Sequence, residues 1–255
     1  MAIAEGSFGT DIRWAFTDRT NGFSAVPFDS LNLAEHVGDD ANSVRQNRSK
    51  VSELLGVDVD AVVAMAPIHG NRVGVVTSTT VSPVPNVDAM VTTSVGRALL
   101  VVGADCSPVI LGDGVAGVIA VAHSGWRGIE ANVVAATVEA MCDLGAKTDE
   151  MVAVVGPSVC GHCYEVDRVR FDATVRSATN AGVVRRDGTL GLDIRRGVMQ
   201  QCRALGVRTS SWGGCTYEDP NLFSYRRDHT TGRHGAMIAI TGPTTGYLAS
   251  TSSKH

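Results

Sequence analysis

The sequence predicts an α/β (α+β) protein: a mixed sheet with helices packed on it, in a single domain. Three observations carry this reading. Short, β-branched, continuously apolar runs alternate with amphipathic stretches, as in sheets covered on both faces. The dipeptide Asp113-Gly114 lies between two of those runs and reads as a hairpin turn, which brings antiparallel pairing into the sheet. No internal repeat or long linker divides the 255 residues, and one large domain with a substantial core accommodates that length.

The elements follow in order. Residues 43–55 read as a helix: Val44, Val51, Leu54 and Leu55 share a face, Asn42 or Ser43 can cap it, and Gly56 can end it. Val81-Ser82-Pro83-Val84-Pro85-Asn86 is a loop, because its two prolines exclude regular helix and central strand. Residues 98–102, 108–111 and 115–122 are strands, 130–144 is a second helix stopped by Gly145, and 151–155 is a strand. Residues 167–179 and 193–205 are further helices. In the latter, Ile194, Val198, Cys202 and Leu205 fall at helical spacing and Gly206 is the stop. A strand over 237–240 closes the domain, set at 1–243, and the polar, Ser/Thr-rich tail 244–255 is expected to fray.

Composition removes several function classes. With 44% hydrophobic and 19% charged residues the chain is globular rather than disordered. A net charge of −4, from 22 basic and 26 acidic residues, disfavours a general nucleic-acid binder. Aromatic residues at 5% argue against a stacking platform for single strands. No apolar run approaches the roughly 18 residues that span a bilayer. Met1 to Asp11 lacks the basic and apolar regions of a signal peptide. The six cysteines, spread along the chain, read as thiols or metal ligands in a reducing, cytoplasmic compartment rather than as a disulfide frame. The oligomeric state is left open, and a monomer is compatible with everything above.

Two motifs fail their context. Gly112-Asp113-Gly114-Val115-Ala116-Gly117 matches the dinucleotide glycine pattern but is followed by Val118-Ile119-Ala120-Val121, a strand, where that pattern needs a helix. Cys160-Gly161-His162-Cys163 matches a disulfide-isomerase site but has no clear helix start to lower a thiolate pKa. As a zinc site it lacks a visible second pair of ligands nearby. It reads as a loop beside a site, with a redox role as the minor alternative.

Three short segments carry chemistry. They are Ile68-His69-Gly70, then Gly103-Ala104-Asp105-Cys106-Ser107-Pro108, then Ala122-His123-Ser124-Gly125-Trp126-Arg127-Gly128. Each sets a metal-capable or nucleophilic group at the end of an apolar element, where a rigid scaffold holds it within reach of solvent. Singly, His69, Cys106 and His123 are ordinary side chains. Cys106 and His123, however, end neighbouring strands of the expected hairpin and can converge. With His69 they form an N/S set suited to Zn²⁺ with a fourth position open, the arrangement of a catalytic site. Without metal, Cys106 and His123 could act as nucleophile and base. Asp105 could orient a ligand histidine or shuttle a proton, or simply shape a turn. The glycine-rich turn bearing Arg127, before a helix beginning near Glu130, is a candidate oxyanion or phosphate site.

These segments resemble the YfiH-like proteins, which carry the label multicopper polyphenol oxidase or laccase domain. The resemblance begins at Ser30-Leu31-Asn32-Leu33, His36-Val37-Gly38-Asp39 and Asn47-Arg48 and runs through the three segments above. It continues with Gly156-Pro157, Tyr164-Glu165-Val166, Cys215-Thr216, Phe223-Ser224-Tyr225-Arg226-Arg227-Asp228 and Thr231-Gly232-Arg233. It implies a single-domain α/β/α sandwich similar to the catalytic domain of cytotoxic necrotizing factors. It implies zinc held by His69, Cys106 and His123. It also implies phosphorolysis of adenosine, inosine, guanosine and methylthioadenosine with inorganic phosphate, plus adenosine deamination. Arg48, Arg127 and Arg226 are then candidates for phosphate or substrate binding, with surface ion pairing as the plain alternative.

The chain departs from the family where Pro67 replaces the usual Gln, Ser124 the usual Ala, and Leu222-Phe223 an aromatic pair; Pro67 bears most on substrate preference. A full multicopper site needs about ten histidines, many in His-x-His pairs. This chain has 7, none so spaced, although copper in the three-ligand site could still oxidise phenols weakly. A metal-free Cys–His amide hydrolase and a binding protein with a vestigial site are the competing readings.

Overall fold

A computed structural model describes residues 2–242, so the tail expected to fray lies outside them. The described chain opens with an antiparallel pair, β1 (Ala2–Phe8) and β2 (Ile12–Thr17), that the sequence pattern did not reveal. Helix α1 (Ala41–Leu55) starts two residues earlier than expected, because Asp40, not Asn42 or Ser43, accepts from the Ser43 amide at 2.8 Å. Gly56 ends it in the left-handed region at φ 72°, which glycine adopts without strain. Strands β3 (Val62–Ala66), β4 (Val73–Val75), β5 (Val84–Pro85) and β6 (Ala89–Thr92) follow. The proline-bearing β5 is confined to two residues at a sheet edge, where a missing amide is tolerated.

Strands β7 (Ala98–Gly103) and β8 (Ser107–Asp113) come where the sequence placed them, and β9 (Val118–Ser124) starts three residues later than expected and ends two later. The turn between β8 and β9 spans residues 114–117 rather than two residues, and Asp113 holds it by accepting from the Val115 and Ala116 amides at 2.9 Å. The expected helix over 130–144 is in fact two, α2 (Trp126–Glu130) and α3 (Val133–Asp143). Asn132 breaks it at φ 57°, its side-chain oxygen accepting from Gln201 Nε2 at 3.0 Å. Arg127 therefore lies inside a helix, not in a turn ahead of one. The chain continues through β10 (Val152–Val155), α4 (Arg168–Ser177), β11 (Gly182–Val184), β12 (Leu190–Leu192) and α5 (Ile194–Ala204). It ends with β13 (Arg208–Ser211), α6 (Tyr225–Asp228) and β14 (His234–Ile240). Among the described residues, no helix is long and apolar enough to cross a membrane.

The class is mixed α/β as predicted, but the sheet is doubled. One six-stranded sheet has the order β1-β2-β14-β7-β3-β5, the other β13-β10-β8-β9-β6-β4, and both mix parallel and antiparallel pairs. Side chains of successive residues point to opposite faces, so each continuous apolar run feeds two cores. Leu99, Val101, Ile110, Ile119, Val121 and Ile238 pack between the sheets. Leu100 and Met237 instead meet Val51 and Leu55 of α1 on one outer face. Val109, Leu111 and Ala120 meet Val134, Val138 and Met141 of α3 and Val198 of α5 on the other. Burying each such side chain contributes about 1.5–3 kcal/mol.

Candidate active site

The hairpin register brings the first two site residues together. Ser107 pairs with Ser124 and Pro108 with His123, so Cys106 stands just beyond the end of β8 beside Gly125. A Cβ on Gly125 would lie 2.7 Å from Cys106 Sγ, so only glycine leaves the sulfur its place. Across the other edge of β9, Ala89 pairs with Ala122, which sets Asp88 beside His123. His69 arrives from the loop after β3. Its backbone is in the left-handed region at φ 61°, held there by its own amide and that of Gly70 donating to the Asp88 carboxylate at 2.7 and 2.8 Å.

The three predicted ligands meet. One ligand atom from each of His69, Cys106 and His123 lies within 4.8 Å of the others, and the imidazole rings cross edge to face with centroids 4.9 Å apart. His69 is exposed, Cys106 half-buried and His123 buried, so the cluster has a covered back and an open front. Burial pushes the Cys106 thiol up, but the charge of His123 and hydrogen bonds from His123 and His69 outweigh it and bring the thiol down to about 6. Burial likewise disfavours a charged His123, yet the Cys106 thiolate and Asp88 raise it to about 9. Near neutral pH the pair is a thiolate beside an imidazolium.

The carboxylate that orients the histidines is Asp88, which the sequence reading missed. It is fully buried, and its Oδ1 lies 3.5 Å from His123 Nδ1. Its only sequence signal is an acid at the head of the apolar run Ala89-Met90-Val91. Asp105, expected to orient a ligand or shuttle a proton, faces elsewhere. Its carboxylate accepts from Thr216 Oγ1, Ser224 Oγ and the Arg226 amide, each at 2.7 Å. These bonds hold its backbone at φ 98° and fasten two distant loops beside the cluster.

A cavity of about 930 Å³ opens over the cluster. Arg127 and Arg226 line it as the resemblance implies, and Arg170, Arg185 and Arg233 join them. The Arg127 and Arg170 guanidinium groups lie 4.8 and 5.0 Å from the centre of the Trp126 ring, and Arg226 lies 5.1 Å from that of Tyr164. Arg48 is not part of this wall. Its Nε donates to the Leu33 carbonyl at 2.9 Å and its Nη1 pairs with Glu35 at 2.5 Å, so it braces the loop that carries His36 to the cavity. Pro67, the departure beside the first ligand, lines the cavity directly.

Residues 13–241 match the family described as multi-copper polyphenol oxidoreductase laccase. The chain belongs to this family. Among its relatives is purine nucleoside phosphorylase SCO2081 of Streptomyces coelicolor, 47% identical over 88% of this chain and 94% of that protein. Among solved structures of the fold are Neisseria meningitidis protein NMB0706, with TM-score 0.83 and 31% identity over 94% of this chain and 99% of that one. Another is the Bacillus licheniformis hypothetical protein YfiH, with TM-score 0.82 and 27% identity over 90% and 93%. The match confirms the resemblance read from the sequence. For a laccase family member the donor set is sparse: among the described residues, one potential metal cluster contains histidine, and it contains two.

The Cys160–Cys163 loop is neither at a helix start nor poised for redox chemistry. Burial and neighbouring thiols push both Cys160 and Cys163 above the usual thiol range, the reverse of what an attacking cysteine needs.

Proposed function

We propose that this protein is a zinc-dependent purine nucleoside phosphorylase, acting on adenosine, inosine, guanosine and methylthioadenosine with inorganic phosphate, and deaminating adenosine at the same site. The observation that carries the reading is the convergence of His69, Cys106 and His123 at the floor of an arginine-lined cavity. Relatives named purine nucleoside phosphorylase supply the purine nucleoside and the phosphorolysis.

The residues fit zinc. Two imidazoles and one thiolate are donors it favours, and Gly125 leaves the sulfur unobstructed. With Nδ1 of His123 facing Asp88, its Nε2 is free to bind the ion. Zinc held there supplies a Lewis acid with one position open to substrate.

In phosphorolysis an oxygen of phosphate bonds to the ribose anomeric carbon as the carbon–nitrogen bond to the purine breaks. The purine leaves with the bonding pair and takes up a proton, giving base and ribose 1-phosphate. Arg127 and Arg226, with Arg170, offer cationic donors to the phosphate oxygens and hold them against the sugar. Arg127 is the most available, because it is exposed and its guanidinium rests on the Trp126 ring. Trp126 and Tyr164, each already carrying guanidinium against its ring, add apolar wall to the cavity for the purine.

The test is incubation of the metal-loaded protein with adenosine and phosphate. Adenine with ribose 1-phosphate is expected from phosphorolysis and inosine from deamination. Absence of both at any zinc loading overturns the proposal. The low Cys106 thiol beside His123 favours one second reading, a metal-free Cys–His amide hydrolase. That reading requires purified protein without metal in which iodoacetamide traps Cys106. Zinc lost on His69→Ala supports the first reading instead. Copper-loaded protein assayed on a phenol tests the oxidase activity in the family's description.

A further inference from the structure

A second group of donors lies beside the three ligands, at one wall of the same cavity. Sulfur atoms of Cys160, Cys163 and Cys215 and a carboxylate oxygen of Glu218 all fall within 4.8 Å of one another. The CGHC motif therefore does have a second pair of ligands, 55 residues further on in space-sharing register rather than nearby in sequence.

The two pairs are built alike. Cys160 and Cys163 are separated by two residues, as are Cys215 and Glu218. In the first, the Cys160 carbonyl accepts from the Cys163 and Tyr164 amides at 3.1 and 2.9 Å. In the second, the Cys215 carbonyl accepts from the Glu218 and Asp219 amides at 3.2 and 3.0 Å. Each turn thus presents its first and last side chains on one side, and the two turns face each other. Ser158 and Cys215 join the segments by a parallel bridge, and the Cys160 amide donates to Cys215 Sγ at 3.4 Å. Cys163 Sγ donates to Glu218 Oε1 at 3.3 Å. Paired turns with ligands two residues apart, one amide already directed at a sulfur, are how proteins present four donors to a tetrahedral ion.

We propose that Cys160, Cys163, Cys215 and Glu218 form a second, structural metal site that takes a thiophilic divalent cation of the zinc class. Three sulfurs and one carboxylate suit zinc rather than magnesium or calcium, which take oxygen ligands. On binding, three metal–sulfur bonds and one metal–oxygen bond form, and the thiol protons leave to solvent. All four ligand positions are then filled by protein, which leaves the ion no role in catalysis.

The placement gives the ion a task. Val159, next to Cys160, donates its amide to the Asp105 carbonyl at 3.1 Å, and Thr216, next to Cys215, donates its hydroxyl to the Asp105 carboxylate at 2.7 Å. A clip across Cys160 and Cys215 therefore grips, from both sides, the residue that precedes Cys106. Cys163, Tyr164 and Tyr217 line the active-site cavity, so the same clip fixes one of its walls.

Cobalt(II), a spectroscopic stand-in for zinc, is titrated into the metal-free full chain kept under a phosphine reductant. The wild type is expected to take two equivalents. Cys106→Ser, which disables the first site, is expected to keep one, with an intense thiolate-to-cobalt charge-transfer band. Glu218→Gln, at an exposed position, is expected to keep that band but weaken binding about tenfold. A Cys106→Ser protein that takes up no cobalt, or that shows no thiolate–cobalt band, overturns the proposal. So does a disulfide among these three cysteines that persists under reductant. None of these readings depends on nucleoside turnover, so failure here leaves the catalytic reading untouched, and the reverse holds.

Discussion

Asp88 is the residue on which the active-site geometry turns. One carboxylate receives two loop amides and faces one imidazole, so it places His69 through the backbone and His123 through the ring. Asp88→Asn keeps one acceptor oxygen and sets a donor in place of the other, so one of the two loop amides loses its acceptor. It is expected to lower zinc affinity about 10–100-fold, measured by competition with a chelator, while the ligands themselves remain. The protonation states set a second expectation. Between about pH 6 and about 9 the metal-free pair holds one proton on His123, which an incoming ion must displace. Apparent zinc affinity should therefore climb about tenfold per pH unit in that window and level off above it. Below about 6 the thiol is protonated as well and the dependence steepens; a titration series from pH 5 to 10 checks this. The three ligands were legible because histidine and cysteine at strand ends are chemically conspicuous. Asp88 was not, because a single acid at the head of a strand has the same appearance in a turn. Asp105 drew attention by lying next to Cys106, but its side chain turns to the loops carrying Thr216 and Ser224.

Elements whose ends carry local signals were read closely. Helices α4 and α5 begin after Asp167 and Asp193, each accepting from the amide three residues on, and Gly206 follows the second at φ 80°. Such caps depend on four or five neighbouring residues and survive any tertiary arrangement. The break between α2 and α3 depends on Asn132 meeting Gln201 from another helix, a contact across 69 residues that no local pattern records. The β8–β9 turn combines both kinds of information. Asp113 is buried, and it fastens its own turn while its other oxygen accepts from the Lys147 amide at 2.9 Å. Asp113→Ala should cost about 2 kcal/mol and lower the melting temperature by roughly 4–8 °C in thermal denaturation. Zinc stoichiometry should stay as in the wild type, because the turn lies at the opposite end of the hairpin from Cys106 and His123.

At the scale of the whole molecule, two sheets share one inner core and each carries helices outside. The doubling was hidden in the sequence because a run buried on both faces is apolar throughout, whether its second face meets a helix or another sheet. The first sheet was further obscured by β1 and β2, whose polar residues mask their alternation. The inner core holds the strand ends in register, so its integrity sets stability more than chemistry. Ile110→Ala, between the sheets, should cost about 2–5 kcal/mol in denaturant unfolding yet leave turnover per folded molecule nearly unchanged. The site then sits at the end of this double layer, where loops from both sheets supply its ligands. The most direct measurement is a zinc titration of metal-free protein during adenosine phosphorolysis, run beside His69→Ala and Cys106→Ser. Release of adenine should rise in step with the one equivalent of zinc that these two variants cannot hold, and stay absent in both. Full phosphorolysis by metal-free protein, or undiminished turnover in either variant, would contradict the account.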